Sequence, residues 1–154
     1  MARFLDTQEY LDTVCDLLNQ GETSVAVPVA GGSMIPFLHN GDTVYLDLPR
    51  KPLKRGDILL YTRSNGQYIL HRVIQTNPDG SLWMAGDAQQ RLEYLPSRDC
   101  VKACVTAARH RGKRNRPGGF RWWCYAYPWR WLLRYRHRLM QLRGKLKITK
   151  ATKQ

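Results

Sequence analysis

Between residues 24 and 108 the chain is cut into short apolar runs by turn-forming residues, and this punctuation limits the possible fold more than any other feature. Residues 24–29 alternate and are rich in valine; runs at 43–48, 57–62, 67–75, 81–85 and 99–108 follow, bounded by Gly, Asn, Asp or Pro. Short runs of β-branched and aromatic residues between such breakers read as strands. Ser64-Asn65-Gly66 and Asn77-Pro78-Asp79-Gly80 are strong turns, and Asn65-Gly66 suits a tight hairpin. Many short strands at this spacing predict a mostly β protein, a small antiparallel β-barrel or curled sheet.

The two ends differ from this middle. Phe4, Leu11, Val14, Cys15 and Leu18 fall at helical spacing, and Gly21 can close the helix with a left-handed cap. Charge then divides the chain. Residues 1–108 hold ten Lys and Arg against twelve Asp and Glu, a net of −2; residues 109–154 hold fifteen Lys and Arg and no acid, and the sum is the overall +13. The expected organisation is an N-terminal packing helix (1–22), a β core (23–108), a basic linker (109–119) and an aromatic, basic tail (120–154).

In that tail Phe120, Trp122, Trp123, Tyr125, Tyr127, Trp129 and Trp131 are interleaved with arginines, and Pro128 can open a helix. Leu132, Tyr135, Leu139, Leu142 and Leu146 then repeat at intervals of three and four, with Arg130, Arg134 and Arg138 on another face. A basic amphipathic helix with an aromatic girdle suits the headgroup region of an anionic membrane, where each Lys or Arg near the surface contributes about 1 kcal/mol. Trp122, Trp123, Trp129, Arg130, Trp131 and Arg134 are the expected membrane contacts. The same pattern would also serve a helix docked on the core or on a partner protein. Nucleic acid is a weaker reading, because the bulky aromatics cluster rather than disperse as stacking platforms.

Size and composition exclude several classes. The 154 residues suffice for one domain with a real core. The first twenty residues carry Asp6, Glu9, Asp12 and Asp16, where a signal peptide would be basic and then apolar. The longest uncharged stretch, residues 23–41, contains three glycines and two prolines and does not read as a spanning helix. Cys15, Cys100, Cys104 and Cys124 lack a second ligand pair for a metal, and reduced thiols are the default. No metal or other cofactor is expected. His39, His110 and His137 read as surface or structural. The expected location is cytoplasmic, with peripheral membrane association.

The chemistry concentrates on two residues. Ser33 lies in Gly31-Gly32-Ser33-Met34-Ile35-Pro36, and His71 in Ile69-Leu70-His71-Arg72-Val73-Ile74. A serine hydroxyl is a poor nucleophile until a neighbouring base takes its proton. An imidazole, with an ordinary pKa of about 6.5, can take it near neutral pH. Gly31 and Gly32 carry no side chain, so a substrate backbone can approach there. With Met34 and Pro36 they are the expected substrate-binding residues. An extended peptide could add as a strand beside residues 25–30.

Between and beyond these residues stand Gly41-Asp42, Gly56-Asp57 and finally Gly86-Asp87. This succession resembles the signal peptidase family: a Ser-Met-x-Pro box, two Gly-Asp strands, a Lys-Arg or His-Arg strand and a late Gly-Asp box, here spread over residues 24–108. The resemblance implies a mostly β catalytic core and a serine endopeptidase. Histidine at position 71 is similar to the archaeal and endoplasmic-reticulum branch. Members of that family are usually anchored by a transmembrane helix before the serine box, and none is read here. The LexA-type autopeptidases have a related core but use lysine as base. The resemblance also implies an acid that orients His71. Asp87 matches the late box, and Glu93 stands about where the histidine branch has a second acid, usually aspartate; both remain candidates.

Two functions follow from this reading. One is a serine endopeptidase that trims a leader or signal segment from a precursor at a membrane surface, through Ser33, His71 and Asp87 or Glu93. The other is a catalytically silent peptide-binding module tethered by its basic tail. Substrate, cleavage motif and oligomeric state are not encoded legibly.

Overall fold

The computed structural model describes residues 2–49, 52–133 and 135. Helix α1 spans Ala2–Asn19. Eight strands follow: β1 Val25–Pro28, β2 Thr43–Asp47, β3 Ile58–Thr62, β4 Tyr68–Thr76, β5 Leu82–Ala85, β6 Glu93–Leu95, β7 Val101–His110 and β8 Lys113–Asn115. Helix α2 spans Phe120–Ala126, and residues 128–133 are helical again.

All strands join one antiparallel sheet in the order β1-β2-β7-β3-β4-β5-β6, with β8 paired to β7. The path ends at β1 and β6, so the sheet is open, and the curled form is the one adopted of the two expected. Its bending has a local cause. Register shifts fall at Tyr45/Leu46 of β2, at Leu60/Tyr61 of β3 and between Val73 and Gln75 of β4. An extra residue on one strand of a pair bends it and increases its twist.

Both faces of the sheet are covered. On one, Val14, Cys15 and Leu18 of α1 pack with Val27, Val44, Leu46, Ile58, Leu60, Val105 and Trp122. On the other, Leu59, Tyr61, Val73, Leu82, Met84, Leu95 and Val101 form a second cluster. Central β3 serves both, which is why Ile58-Leu59-Leu60-Tyr61 is apolar throughout rather than alternating. Gly21 takes a φ of +101°, and the Glu22 amide closes back on the Leu17 carbonyl at 3.1 Å, the left-handed helix end its sequence indicates.

Three features differ from the sequence expectations. Residues 109–119 do not run as a plain linker: β7 continues to His110 and turns into β8, with Ala108 opposite Asn115. Strand β6 has only three residues, too short a pattern to stand out. The start of the tail is docked. Trp122 is 3% exposed, meets Phe37 edge-on at 5.2 Å between ring centroids, and donates from Nε1 to the Gly56 carbonyl at 2.8 Å. Burying an indole in this way is favourable because its N–H finds a partner. Arg134, Arg138, Leu139, Leu142 and Leu146 lie outside the described residues. Among the described residues no helix is long and apolar enough to cross a membrane.

Candidate active site

Ser33 sits on the loop between β1 and β2. The loop is closed at its base, where the Val29 amide donates to Asp42 at 2.7 Å and the Gly41 amide to Val29 at 2.8 Å. Met34, Phe37 and Leu38 anchor it in the core at 1–2% exposure. Met34 is therefore turned away from any substrate, which corrects its expected binding role. Gly31 and Gly32 are exposed, Pro36 is half-buried, and Ser33 is half-buried. Among the described residues the Ser33 hydroxyl makes no hydrogen bond, to His71 or to any other group.

The Ser33 backbone is fixed against the segment after β5. Its carbonyl accepts from the Ala88 amide at 2.9 Å. A Cβ at Gly86 would overlap the Ser33 carbonyl oxygen and lie 3.1 Å from the Ser33 Cβ. Gly86 is thus a glycine because the serine turn packs directly on it. The register of β4 with β5 pairs Arg72 with Ala85. One step further along the two chains brings Gly86 beside His71, on the same face of the sheet. Facing positions on paired strands carry their Cβ atoms about 5 Å apart. Ser33 and His71 therefore approach one face from neighbouring positions.

Period-two alternation sends His71 and Arg72 to opposite faces. His71 is 3% exposed on the face of the second core cluster. Its Nδ1 lies 3.3 Å from the Tyr61 hydroxyl and 3.9 Å from Glu93 Oε2. Its Nε2 has no hydrogen bond among the described residues, yet it is not sealed from solvent. Burial pulls the imidazole down to about 4, against the opposing charge of Glu93, so the ring is neutral at pH 7. Burial also holds the Tyr61 phenol well above its usual range, with the Glu93 carboxylate adding to the effect.

The two candidate acids have separate partners. Asp87, 0% exposed, accepts from Arg72 Nε at 2.8 Å and Nη2 at 2.7 Å. Burial pushes its carboxyl up, and the two short charge-assisted bonds from Arg72 oppose that. Arg72 is itself fixed by a bond to the Gly56 carbonyl and by the Phe37 ring 4.8 Å away. Asp87 is thus engaged with Arg72 on the face opposite His71, which removes it as the orienting acid. Glu93 pairs with Arg63 through two bonds of 2.7 Å, and that guanidinium holds its carboxyl below the usual range. Tyr61 and Arg63 were not anticipated from sequence. The signal was the spacing of Leu59, Tyr61 and Arg63, which alternation puts on the His71 face.

A groove of about 740 Å³ runs between α1 and the sheet, lined by Tyr10, Leu11, Val27, Val29, Leu46 and Leu70 among others, and reaches Ala30. It ends where the Gly31–Gly32 turn begins. Strand β1 pairs only with β2, so its outer edge is unpaired among the described strands.

The tail meets the segment after β5 on which the Ser33 turn packs. Trp129 Nε1 donates to the Asp87 carbonyl at 2.7 Å, Arg130 to the Gln89 carbonyl at 2.7 Å, and Gln90 to the Leu133 carbonyl at 3.1 Å. Trp122 is buried within the protein, a correction to its expected membrane role, while Trp129 and Arg130 are half-buried and bond the segment after β5. Trp123 and Trp131 are 50% and 64% exposed, beside Phe120 at 81%.

No curated protein and no solved structure gives a significant match to the chain. The ordered boxes suggested the histidine-base branch of the signal peptidases, and the match obtained does not reach that branch. The family model described as Peptidase S24-like matches residues 2–98, more than half of the chain and the whole span from α1 through both candidate catalytic residues, so this protein belongs to the Peptidase S24-like family of serine peptidases.

Proposed function

We propose that the protein is a serine endopeptidase that removes a leader or signal segment from a precursor, with Ser33 as nucleophile and His71 as general base. The observation that carries this reading is the packing of Ser33 on Gly86, the position alongside His71. The open Nε2 edge of the ring supports the same role. Ser33 Oγ attacks the scissile carbonyl as its proton passes to Nε2. That proton then goes to the leaving amine, and a water repeats the sequence to release the acyl group. Such acid–base assistance contributes about 10²- to 10⁴-fold.

Glu93 is the orienting acid in this scheme, acting with Tyr61. Nδ1–H donates to the Tyr61 oxygen, whose own proton points to Glu93, and the carboxylate 3.9 Å away stabilises the imidazolium that forms. Histidine here departs from the lysine of LexA-type relatives and keeps the signal-peptidase branch as the finer reading. An extended peptide adds to the free edge of β1, with its side chains in the groove beneath α1.

The enzyme works from the cytoplasmic side at an anionic membrane surface. Support for this comes from the exposed Phe120, Trp123 and Trp131, and from a sequence over residues 109–154 with fifteen Lys and Arg and no acid. A triple Ser substitution of those three aromatics should lose liposome flotation while keeping the fold; flotation equal to wild type would remove the membrane element.

A fluorophosphonate probe tests the catalytic reading. Wild type labels, whereas Ser33→Ala and His71→Ala do not. Equal labelling of His71→Ala would remove the proposed base. Absence of labelling in the wild type would favour the silent peptide-binding module, for which the unbonded Ser33 hydroxyl is the supporting observation.

A further inference from the structure

We propose that His39, Asp42 and His110 form a divalent-cation site of the zinc class at the base of the Ser33 loop. His39 and Asp42 are neighbours in sequence, and His110 comes from a distant strand. His39 and Asp42 end the loop, and His110 ends β7. Strand β2 pairs with β7 through Thr43 opposite Arg109, and one further step sets Asp42 beside His110.

The donor atoms already converge. His110 Nδ1 lies 2.8 and 2.9 Å from the two Asp42 oxygens, and His39 Nδ1 lies 3.9 Å from Asp42 Oδ2. All three donor atoms fall within 4.8 Å of one another. Zinc bonded tetrahedrally at 2.0–2.1 Å holds its ligand atoms about 3.3 Å apart. The observed separations straddle that value, so small side-chain rotations make the site without backbone movement.

A second observation points independently to a ligand. His39 Nδ1 is sealed from water and has no hydrogen-bond partner. A buried polar atom without a partner is unfavourable and calls for an explanation such as a bound ion. The ring cannot turn freely to find another partner, because it stacks on His110 at 4.7 Å between centroids. Asp42 is held in place by the His39 amide, which donates to its Oδ2 at 2.8 Å.

Two nitrogens and one carboxylate select a borderline ion such as Zn²⁺, Co²⁺ or Ni²⁺ over Mg²⁺ or Ca²⁺, which prefer all-oxygen shells. The ion must replace the hydrogen bond between His110 and Asp42. Arg109, Arg111, Lys113 and Arg114 on the same hairpin repel any added cation, and the Asp42 carboxylate offsets that repulsion. A bound ion would tie the end of the Ser33 loop to β7.

The test uses the full chain, stripped with chelator, titrated with Zn²⁺ by calorimetry and with Co²⁺ by visible absorption. The expected result is one ion per chain, tetrahedral Co²⁺ bands, a raised Tm, and at least tenfold weaker binding in both His39→Ala and His110→Ala. His39→Ala removes a side chain that is 42% exposed, so it should fold even if His110→Ala does not. No stoichiometric binding by the wild type overturns the proposal. So does binding that is unchanged in His39→Ala, which would assign the ion to thiols or other surface groups. Neither readout depends on peptidase activity.

Discussion

Arg72 and Asp87 form a bidentate pair in which both side chains are fully buried, at 2.8 and 2.7 Å. The carboxylate is committed to an adjacent strand's arginine, on the sheet face opposite His71. Removing one member leaves the other charged and without its counterion, which typically costs 3–5 kcal/mol. Asp87→Asn should therefore lower the urea midpoint sharply, and Arg72→Met/Asp87→Leu should recover much of that loss. An Asp87→Asn protein of wild-type stability but no activity would restore Asp87 to the catalytic group.

Gly86→Ala tests the packing of the serine turn. The added methyl overlaps backbone of Ser33, which cannot yield as a flexible side chain would. A displacement near 1 Å at a reacting group can cost about 10²-fold. Fluorophosphonate labelling should fall by about that factor. Gly31→Ala makes a useful contrast: its Cβ meets nothing within 4 Å, and only the left-handed φ of +86° opposes it. That substitution should cost about 1 kcal/mol of stability and leave the turn in place.

The His71 ring gives a pH signature. Its pKa is about 4 in the folded chain and about 6.5 when unfolded. Between those values the unfolded chain binds a proton that the folded chain refuses, so stability rises with pH there. The contribution is complete above pH 6.5 and is lost as pH falls through 4, on the order of 3 kcal/mol in all. His71→Gln should flatten the stability curve between pH 4 and 6.5, measured by urea unfolding. Labelling of the wild type should hold from pH 7 down to about 5 and drop near 4.

Glu93→Gln separates the two acids kinetically. Glu93 raises the His71 pKa and stabilises its protonated form. Its loss should lower the rate by well under the ~10⁴-fold known for a fully buried orienting acid, because Glu93 is partly exposed and shared with Arg63. The acid limb of the labelling profile should also move to lower pH. Tyr61→Phe should give a smaller decrease of the same sign.

The strand plan was legible because each run is bounded by residues with their own turn chemistry: Gly66 and Gly80 hold φ of +81° and +89° where the hairpins require it. Helix α1 also had local signals, whereas α2 at Phe120–Ala126 lies before Pro128, where the expected helix opens. Glu93 and Asp87 could not be told apart, because that choice depends on which sheet face each strand presents, and three bulges intervene. The docking of the tail was not visible, since Trp122 reads the same whether it meets a headgroup or Phe37. The convergence of His39 with His110 needed the β2–β7 register, a non-local fact.

Trp122 joins the cationic portion of the chain to the hydrophobic interior. Cutting the protein after residue 119 to obtain a less basic fragment, with fifteen Lys and Arg against twelve Asp and Glu, would also open a hole beside Phe37 and Gly56, comparable to deleting a large core aromatic at about 3–5 kcal/mol. Solubility engineering on this protein should repaint the outer aromatics and keep that indole.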